Sequence, residues 1–259
     1  LDDLKTGQFD LVVFGDIWRS FGRFVELLPY LGRTRVAVVD GADDQAPYPY
    51  NGSVWRFRAW WTLPRAHTRY PYFKRELTSE TLRYRWFKLL PPQVCERIGP
   101  PRSMRPIGFS IPAEHVAASV PAKSQQFTTH IVDRELADRL GRGGTGHAFS
   151  SEADYYADLR RSEFGVTTKR SGWDCMRHYE LAASGCVLCF RDLEAKEPTC
   201  APHGLSSANA MPYHSAEELL RKVASMSEQE RRRLQQAALD WAGRNTTVAR
   251  AREFLAQLL

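Results

Sequence analysis

An α/β protein of two units, each built on a parallel sheet, is what this sequence predicts. Three observations carry the expectation. Short apolar runs show no polar alternation, helical periodicity fills the stretches between them, and 259 residues are enough for two units with cores of their own. A strand that is apolar on both faces is covered on both sides, as in a parallel sheet flanked by helices. With 43% hydrophobic and 25% charged residues, the chain is globular in balance, and disordered or fibrous classes are excluded.

In chain order, Phe9-Asp10-Leu11-Val12-Val13-Phe14-Gly15 opens as a strand, and helical periodicity runs from Ser20 to Tyr30. Arg35-Val36-Ala37-Val38-Val39-Asp40-Gly41 is a second strand that ends on an Asp-Gly turn. Ligands of such sheets gather beyond the carboxyl ends of the strands. Asp16, Asp40, Asp43 and Asp44 all fall there. Asp16 and Asp43 are candidates for a base that deprotonates an acceptor; the competing reading is that aspartates here cap helices and shape turns.

Residues 45–90 break the alternation. Pro47-Tyr48-Pro49-Tyr50-Asn51-Gly52 is a turn-rich insertion, and a run of cations interleaved with rings follows, from Trp55 and Arg56 to Phe87 and Lys88. Such a run suits stacking on a sugar, an anionic acceptor or single-stranded nucleic acid. The net charge of +6 points the same way. Arg56, Arg58 and Arg65 are therefore candidate contacts for an acceptor or an anionic partner. The competing reading buries the rings in a core with arginine stems laid over it.

Prolines at 91, 92, 100, 101, 106, 112 and 121 surround one short strand, Ile107-Gly108-Phe109-Ser110-Ile111. They mark the crossing between units, with an acceptor-side unit at residues 1–115 and a second unit at 116–259. The second unit opens with Gln126-Phe127-Thr128-Thr129-His130-Ile131-Val132 as a strand, then a helix from Asp133 to Leu140. Gly141-Arg142-Gly143-Gly144-Thr145-Gly146-His147 closes on no Lys-Ser/Thr pair, so it reads as a loop rather than a phosphate cradle. Phe164-Gly165-Val166 and Cys186-Val187-Leu188-Cys189-Phe190 are strands, and residues 192–213 form a long loop. Ser215-Ala216-Glu217-Glu218 has the form of a capping box opening the last helices.

Five cysteines, an odd number, argue against a disulfide framework. Cys186 and Cys189 lie inside an apolar run and read as small buried side chains, so no metal site is expected. No apolar run approaches the roughly 20 residues that span a bilayer. The expectation is a cytoplasmic protein without a membrane span.

The most informative stretch is Thr168-Lys169-Arg170-Ser171-Gly172-Trp173-Asp174-Cys175-Met176-Arg177-His178-Tyr179-Glu180-Leu181-Ala182-Ala183-Ser184-Gly185. A strand precedes it, two cations and a glycine turn follow, and a helix then runs to Gly185. Free N–H groups and partial positive charge at a helix start, with full charges beside them, suit a phosphate. At about 100° per residue, Trp173, Arg177 and Glu180 share one face, while Cys175, Tyr179, Ala182 and Ala183 share another suited to packing on a sheet. A glutamate so placed can accept hydroxyl hydrogen bonds from a sugar or ribose while the cations hold a diphosphate. The competing reading is a solvated face with an i,i+3 Arg–Glu pair worth about 0.2–0.5 kcal/mol.

The run from Arg170-Ser171-Gly172-Trp173-Asp174 through His178-Tyr179-Glu180-Leu181-Ala182-Ala183-Ser184-Gly185-Cys186-Val187 resembles the donor-site segment of GT-B glycosyltransferases. Within these it is similar to the CgeB-like branch of the family-1 and family-4 group. The resemblance covers roughly residues 125–255, and Tyr72-Phe73-Lys74-Arg75-Glu76-Leu77 resembles a further segment of the branch. It implies a GT-B-type α/β fold of two Rossmann-like units with parallel sheets. The first unit is short for that fold, so part of the acceptor half is expected to lie outside this sequence. The resemblance also implies that Glu180 binds the nucleotide-sugar, commonly through its ribose. Many relatives carry a second glutamate about two helical turns earlier; Gly172 and Trp173 stand there in this chain.

The function expected on this basis is transfer of a sugar from a nucleotide-sugar donor, UDP- or GDP-linked, to a glycan or small-molecule acceptor, without cofactor or metal. Lys169, Arg170 and the amides around Gly172 would stabilise the leaving diphosphate. Glu180 would hold the donor, with Trp173, Arg177 and His178 as further contacts. The alternatives are a nucleic-acid-binding protein on the same scaffold and a glycosyltransferase acting on modified DNA bases.

Overall fold

The computed structural model describes residues 2–32, 34–48, 69–83, 91, 93–94, 103–142 and 149–258. They fall into two compact units. One comprises Leu1–Gly108 with Glu197–Ala201, the other Phe109–Lys196 with Pro202–Gln257.

In the first unit a short helix α1 (Asp2–Lys5) precedes β1 (Leu11–Phe14), α2 (Ile17–Leu27) and β2 (Arg35–Asp40). Then come β3 (Tyr72–Lys74), α3 (Ser79–Arg83) and β4 (Met104–Pro106). The sheet is parallel, in the order β1-β2-β3-β4. Helix α2 buries Ile17, Phe21, Phe24 and Leu27, the three-to-four spacing that makes one apolar face. Phe24 meets Phe14 of β1 edge to face at 5.0 Å between ring centroids. The helix starts before Ser20, at Ile17, because Asp16 turns the chain with φ 45° and its carbonyl accepts the amides of Arg19 and Ser20. Pro29 has no N–H to donate, and the last turn, Leu28–Tyr30, tightens to a 3₁₀ turn.

Four residues from the run of cations and rings lie in the core. Tyr72, Phe73, Lys74 and Arg75 are all buried. Lys74 Nζ pairs with buried Asp40 at 3.2 Å and donates to the Ala42 carbonyl at 3.2 Å, while Tyr72 donates its hydroxyl to the same Asp40. A buried charge persists only with partners of this kind. The run expected as a strand at 107–111 divides. Ile107 adds one more bond to the ladder, donating to the Lys74 carbonyl at 3.2 Å. Phe109 and Ile111 pack in the second unit with Tyr179, Ala182, Ala238 and Trp241.

The second unit holds β5 (Gln125–Phe127), α4 (Arg134–Arg139), α5 (Glu152–Arg161) and β6 (Ser162–Thr167). These lead to α6 (Met176–Ala183), β7 (Val187–Arg191) and β8 (Met211–Tyr213). The helices α7 (Ala216–Ser225), α8 (Glu228–Arg244) and α9 (Thr247–Ala256) complete it. Its sheet is parallel in the order β5-β6-β7-β8. One core cluster contains Phe127, Phe164, Val166, Val187, Cys189 and Met211 with Leu136, Leu219 and Leu234 of the helices. In another, small residues let α6 approach α8 closely, and the Tyr179 and Trp241 rings lie 4.9 Å apart.

Two glycines shape the surroundings of α6. A side chain at Gly165 of β6 would collide with Leu181 of α6. Gly185, at φ 68°, ends α6: its amide donates to the Ala182 carbonyl and that of Cys186 to the Leu181 carbonyl, the paired bonds of a Schellman cap. Side chains of Asp133, Ser151, Ser215, Ser227 and Thr246 cap five helix starts. Strand β5 stops at Phe127, short of the run expected to Val132. The Thr128 hydroxyl donates to the His130 carbonyl at 3.0 Å, and Asp158 accepts the Thr129 amide at 2.8 Å. These local bonds turn the backbone out of the ladder.

Candidate functional site

At the carboxyl end of β6 the chain leaves the sheet at Thr167, crosses residues 168–175 and enters α6. Cys175 stands at the N-cap with an extended backbone, and its side chain makes no capping hydrogen bond. The first-turn amides therefore receive no side-chain cap, the arrangement in which a helix start presents N–H groups outward. Asp174 is engaged elsewhere: 4% exposed, it accepts the Phe109 amide at 2.7 Å and the Tyr179 hydroxyl at 3.0 Å.

His178 holds the loop from beneath. It is fully buried, with Nε2 2.8 Å from the Trp173 carbonyl and Nδ1 2.9 Å from the Thr167 hydroxyl. A carbonyl can only accept, so Nε2 carries the proton and Nδ1 accepts from Thr167. The ring stacks on Phe190 at 4.7 Å. Burial pushes its pKa down to about 4, against the Trp173 hydrogen bond. With both nitrogens used inside the protein, His178 shapes the loop.

Trp173 also differs from its expected place. It precedes the helix, so it does not share a helical face with Arg177 and Glu180. It is buried near Phe190, with ring centroids 6.3 Å apart, and Lys169 Nζ lies 5.0 Å from its own ring centroid. Within the loop the Arg170 amide donates to the Gly172 carbonyl at 3.1 Å. That amide is thus committed to the loop.

The side chains of Lys169 and Arg170 are exposed and that of Arg177 is half-buried. Among the described residues none of these three cations is in an ion pair. Arg177 and Glu180 do not form the i,i+3 pair that helix geometry offers. Instead Glu180 Oε2 accepts the Tyr155 hydroxyl of α5 at 2.7 Å. Burial first, and the Glu180 charge second, hold the Tyr155 phenol far above its ordinary range, with Arg177 opposing.

Sequence reasoning missed two members of this cluster. Tyr155 is one. His130, in the turn after β5, is the other: burial, then Arg177 and Arg170, depress its pKa, so both arginines act on it. A histidine just past the end of an apolar strand was the available signal, hidden by the expectation that the strand ran to Val132.

The rest of the rim is tied down. Arg191, ending β7, pairs with Asp133 at 3.0 Å and Glu135 at 3.0 Å, and Tyr213 donates to Asp133 at 2.7 Å. In the loop after β7, the carbonyl of His203 accepts the Trp241 indole N–H at 2.8 Å, and that of Gly204 accepts Asn209 at 2.8 Å. Burial raises the thiol pKa of Cys186 to about 12, and that of Cys189 rises for the same reason. Among the described residues no three His, Cys, Asp or Glu side chains gather as metal ligands. No helix there is long and apolar enough to cross a membrane.

In the first unit, Asp43 pairs with Arg75, whose guanidinium Nε also donates to the Gly41 carbonyl at 3.0 Å. Asp16 is exposed at the start of α2 and makes no capping bond. Arg56, Arg58 and Arg65, on which the nucleic-acid alternative rests, lie outside the described residues.

No protein-family model matches the chain, and no curated protein matches it. Solved structures do match. The GtfA/B complex aligns with a TM-score of 0.52 at 13% identity, over 98% of this chain and 58% of that one. The pneumococcal O-GlcNAc transferase GtfA in complex with UDP and GlcNAc aligns with a TM-score of 0.50 at 12% identity, over 99% of this chain and 58% of that one. The chain thus spans less than two thirds of either. At such identities the likeness concerns the fold, and the two four-stranded parallel sheets are those of a GT-B-type α/β protein.

Proposed function

We propose that the second unit binds a nucleotide-sugar and that the protein transfers the sugar to a glycan or small-molecule acceptor. The observation that carries this reading is a set of three cations, Lys169, Arg170 and Arg177, with no carboxylate partner among the described residues, beside a helix start without a side-chain cap. Some surface arginines elsewhere in the same unit are paired, as Arg231 is with Glu163 and Arg232 with Glu228; what sets these three cations apart is their place between the carboxyl end of β6 and the first turn of α6. Unpaired cations gathered at the carboxyl ends of parallel strands suit an anion of high charge.

In this reading Lys169 and Arg170 neutralise a diphosphate, and the first amides of α6 hydrogen-bond its oxygens. As the glycosidic bond breaks, negative charge grows on the diphosphate, and donors already in place stabilise it without reorganising. Arg177 adds positive charge on the same side, and His130, whose pKa burial and the two arginines depress, offers a neutral imidazole there. Glu180 accepts hydroxyl hydrogen bonds from the ribose. The cations do the work that a divalent metal does in other transferases, so no metal is required. UDP is the first nucleotide to test, because GtfA is described in complex with UDP and GlcNAc. The acceptor's proton goes to a carboxylate of the first unit. Asp16 is favoured over Asp43, since the Asp43 carboxylate is already engaged by the Arg75 guanidinium.

A thermal-shift panel of UDP, GDP, ADP, CMP and their sugars, run with EDTA, tests the proposal. At about 100 times its dissociation constant a ligand adds about 2.7 kcal/mol, which raises the melting temperature of a protein this size by roughly 5–10 °C. We expect that shift from a uridine or guanosine diphosphate sugar, with EDTA present. No shift with any nucleotide contradicts the reading. A shift that vanishes with EDTA and returns with Mn²⁺ contradicts its metal independence.

A further inference from the structure

Glu180 is held from an unexpected side. On an isolated helix its neighbour three residues back, Arg177, is the natural partner. Here no ion pair joins them, and the carboxylate takes its hydrogen bond from Tyr155, 25 residues away on α5, at 2.7 Å. The Tyr155 ring is itself fixed. It meets Phe149 edge-on at 5.5 Å and Tyr156 edge-on at 5.5 Å, and Tyr156 stacks on His115 at 4.4 Å with planes 7° apart. A phenol has one proton to donate, and this one goes to Oε2. The oxygen Oε1 and the second lone pair of Oε2 remain as acceptors, on a carboxylate that can no longer swing freely toward Arg177.

We propose that Tyr155 is a positioning residue: it fixes Glu180 to receive a ribose hydroxyl pair and, by the same bond, leaves Arg177 available to the diphosphate. The inference rests on the nucleotide-sugar reading of this unit. It deepens that reading into a specificity claim, namely that the site selects ribonucleotides over 2′-deoxyribonucleotides. A rigid acceptor that is built for a hydroxyl and meets none stays desolvated without a partner, which is why such sites reject the deoxy analogue strongly.

Calorimetric titration of the wild type, Tyr155→Phe and Glu180→Gln with UDP and with 2′-deoxy-UDP tests the inference. Phenylalanine keeps the ring and its packing and removes only the hydroxyl. The wild type should prefer UDP by tenfold or more. In Tyr155→Phe the UDP affinity should fall about tenfold and the 2′-deoxy-UDP affinity about twofold or less, so that most of the preference disappears. The melting temperature without ligand should stay within a few degrees of the wild type. If Tyr155→Phe keeps the wild-type preference while Glu180→Gln loses it, Tyr155 positions nothing and the site reading survives. If Tyr155→Phe weakens both ligands equally, its part is structural and the inference fails. If both variants bind both ligands as the wild type does, Glu180 is not at the ribose, and the inference falls with its role. If no form of the protein binds UDP or GDP, the nucleotide-sugar reading itself falls.

Discussion

Replacing Lys169 and Arg170 together by alanine should lower the affinity for a uridine or guanosine diphosphate by roughly a hundredfold. A hydrogen bond to a charged group contributes about 1.5–3 kcal/mol. Both side chains are exposed, so the lower end applies to each, about 3 kcal/mol for the two. The corresponding nucleoside, which lacks phosphates, should bind almost as it does to the wild type. The fold should be unaffected, because neither cation is paired with a carboxylate among the described residues. The one expected side effect is on Trp173, whose ring lies 5.0 Å from the Lys169 ammonium, a contact worth about 0.5–1 kcal/mol at an exposed position. Calorimetry with the diphosphate and the nucleoside separates these effects. An equal loss for both ligands would mean that the cations shape the pocket without touching phosphate.

Acid should weaken the second unit through His178 by about 3 kcal/mol in all, the free-energy equivalent of moving an imidazole from about 6.5 unfolded to about 4 folded. The sign follows from the proton count. Above pH 6.5 the ring is neutral in both states and stability is at its full value. Between 6.5 and 4 the unfolded chain takes up a proton that the folded one refuses, so each step down in pH favours unfolding. Below about 4 the loss is complete. The refusal has a geometric cause: a protonated Nδ1 has no acceptor other than the Thr167 hydroxyl, and burial gives the charge no water. Denaturant midpoints of the wild type and of His178→Gln, followed from pH 7 to pH 4, should show a steeper fall in the wild type. Parallel pH dependence, or an imidazole seen by NMR to titrate near 6.5, would show that the ring is not sealed.

Much of this architecture is visible in local sequence. Runs such as Cys186-Val187-Leu188-Cys189-Phe190 announce buried parallel strands, because no position alternates to polar. Gly185 announces the end of α6, because its left-handed φ of 68° suits glycine. Ser215 announces the start of α7, and its side chain does accept the Glu218 amide; Glu218 reaches back, but to the amide of His214. The placement of Lys169 and Arg170 is equally legible, since it depends on the strand and helix on either side of them.

What escaped local reading is set by contacts across elements. Helix α6 begins only at Met176, so Trp173 and Cys175 never join its faces. Periodicity cannot show this, because Asp174 holds the preceding loop through the distant Phe109 amide. His178 sits one residue from Arg177 and two from Glu180, yet the fold turns it inward to Thr167 and Trp173. Tyr155 and His130 join Glu180 and Arg177 from two other elements, and no spacing rule links them. Lys74 and Arg75 look like part of the run of cations and rings, and only the parallel pairing of β2 with β3 reveals that Asp40 lies beside Lys74 in register.

The most direct test of the nucleotide-sugar site is an amide-resolved NMR titration of the wild-type protein with UDP and with GDP in the presence of EDTA. A saturable response concentrated in residues 168–178, together with His130, Tyr155 and Glu180, is the predicted result. Saturable changes confined to the first unit, or no change at millimolar nucleotide, would contradict it.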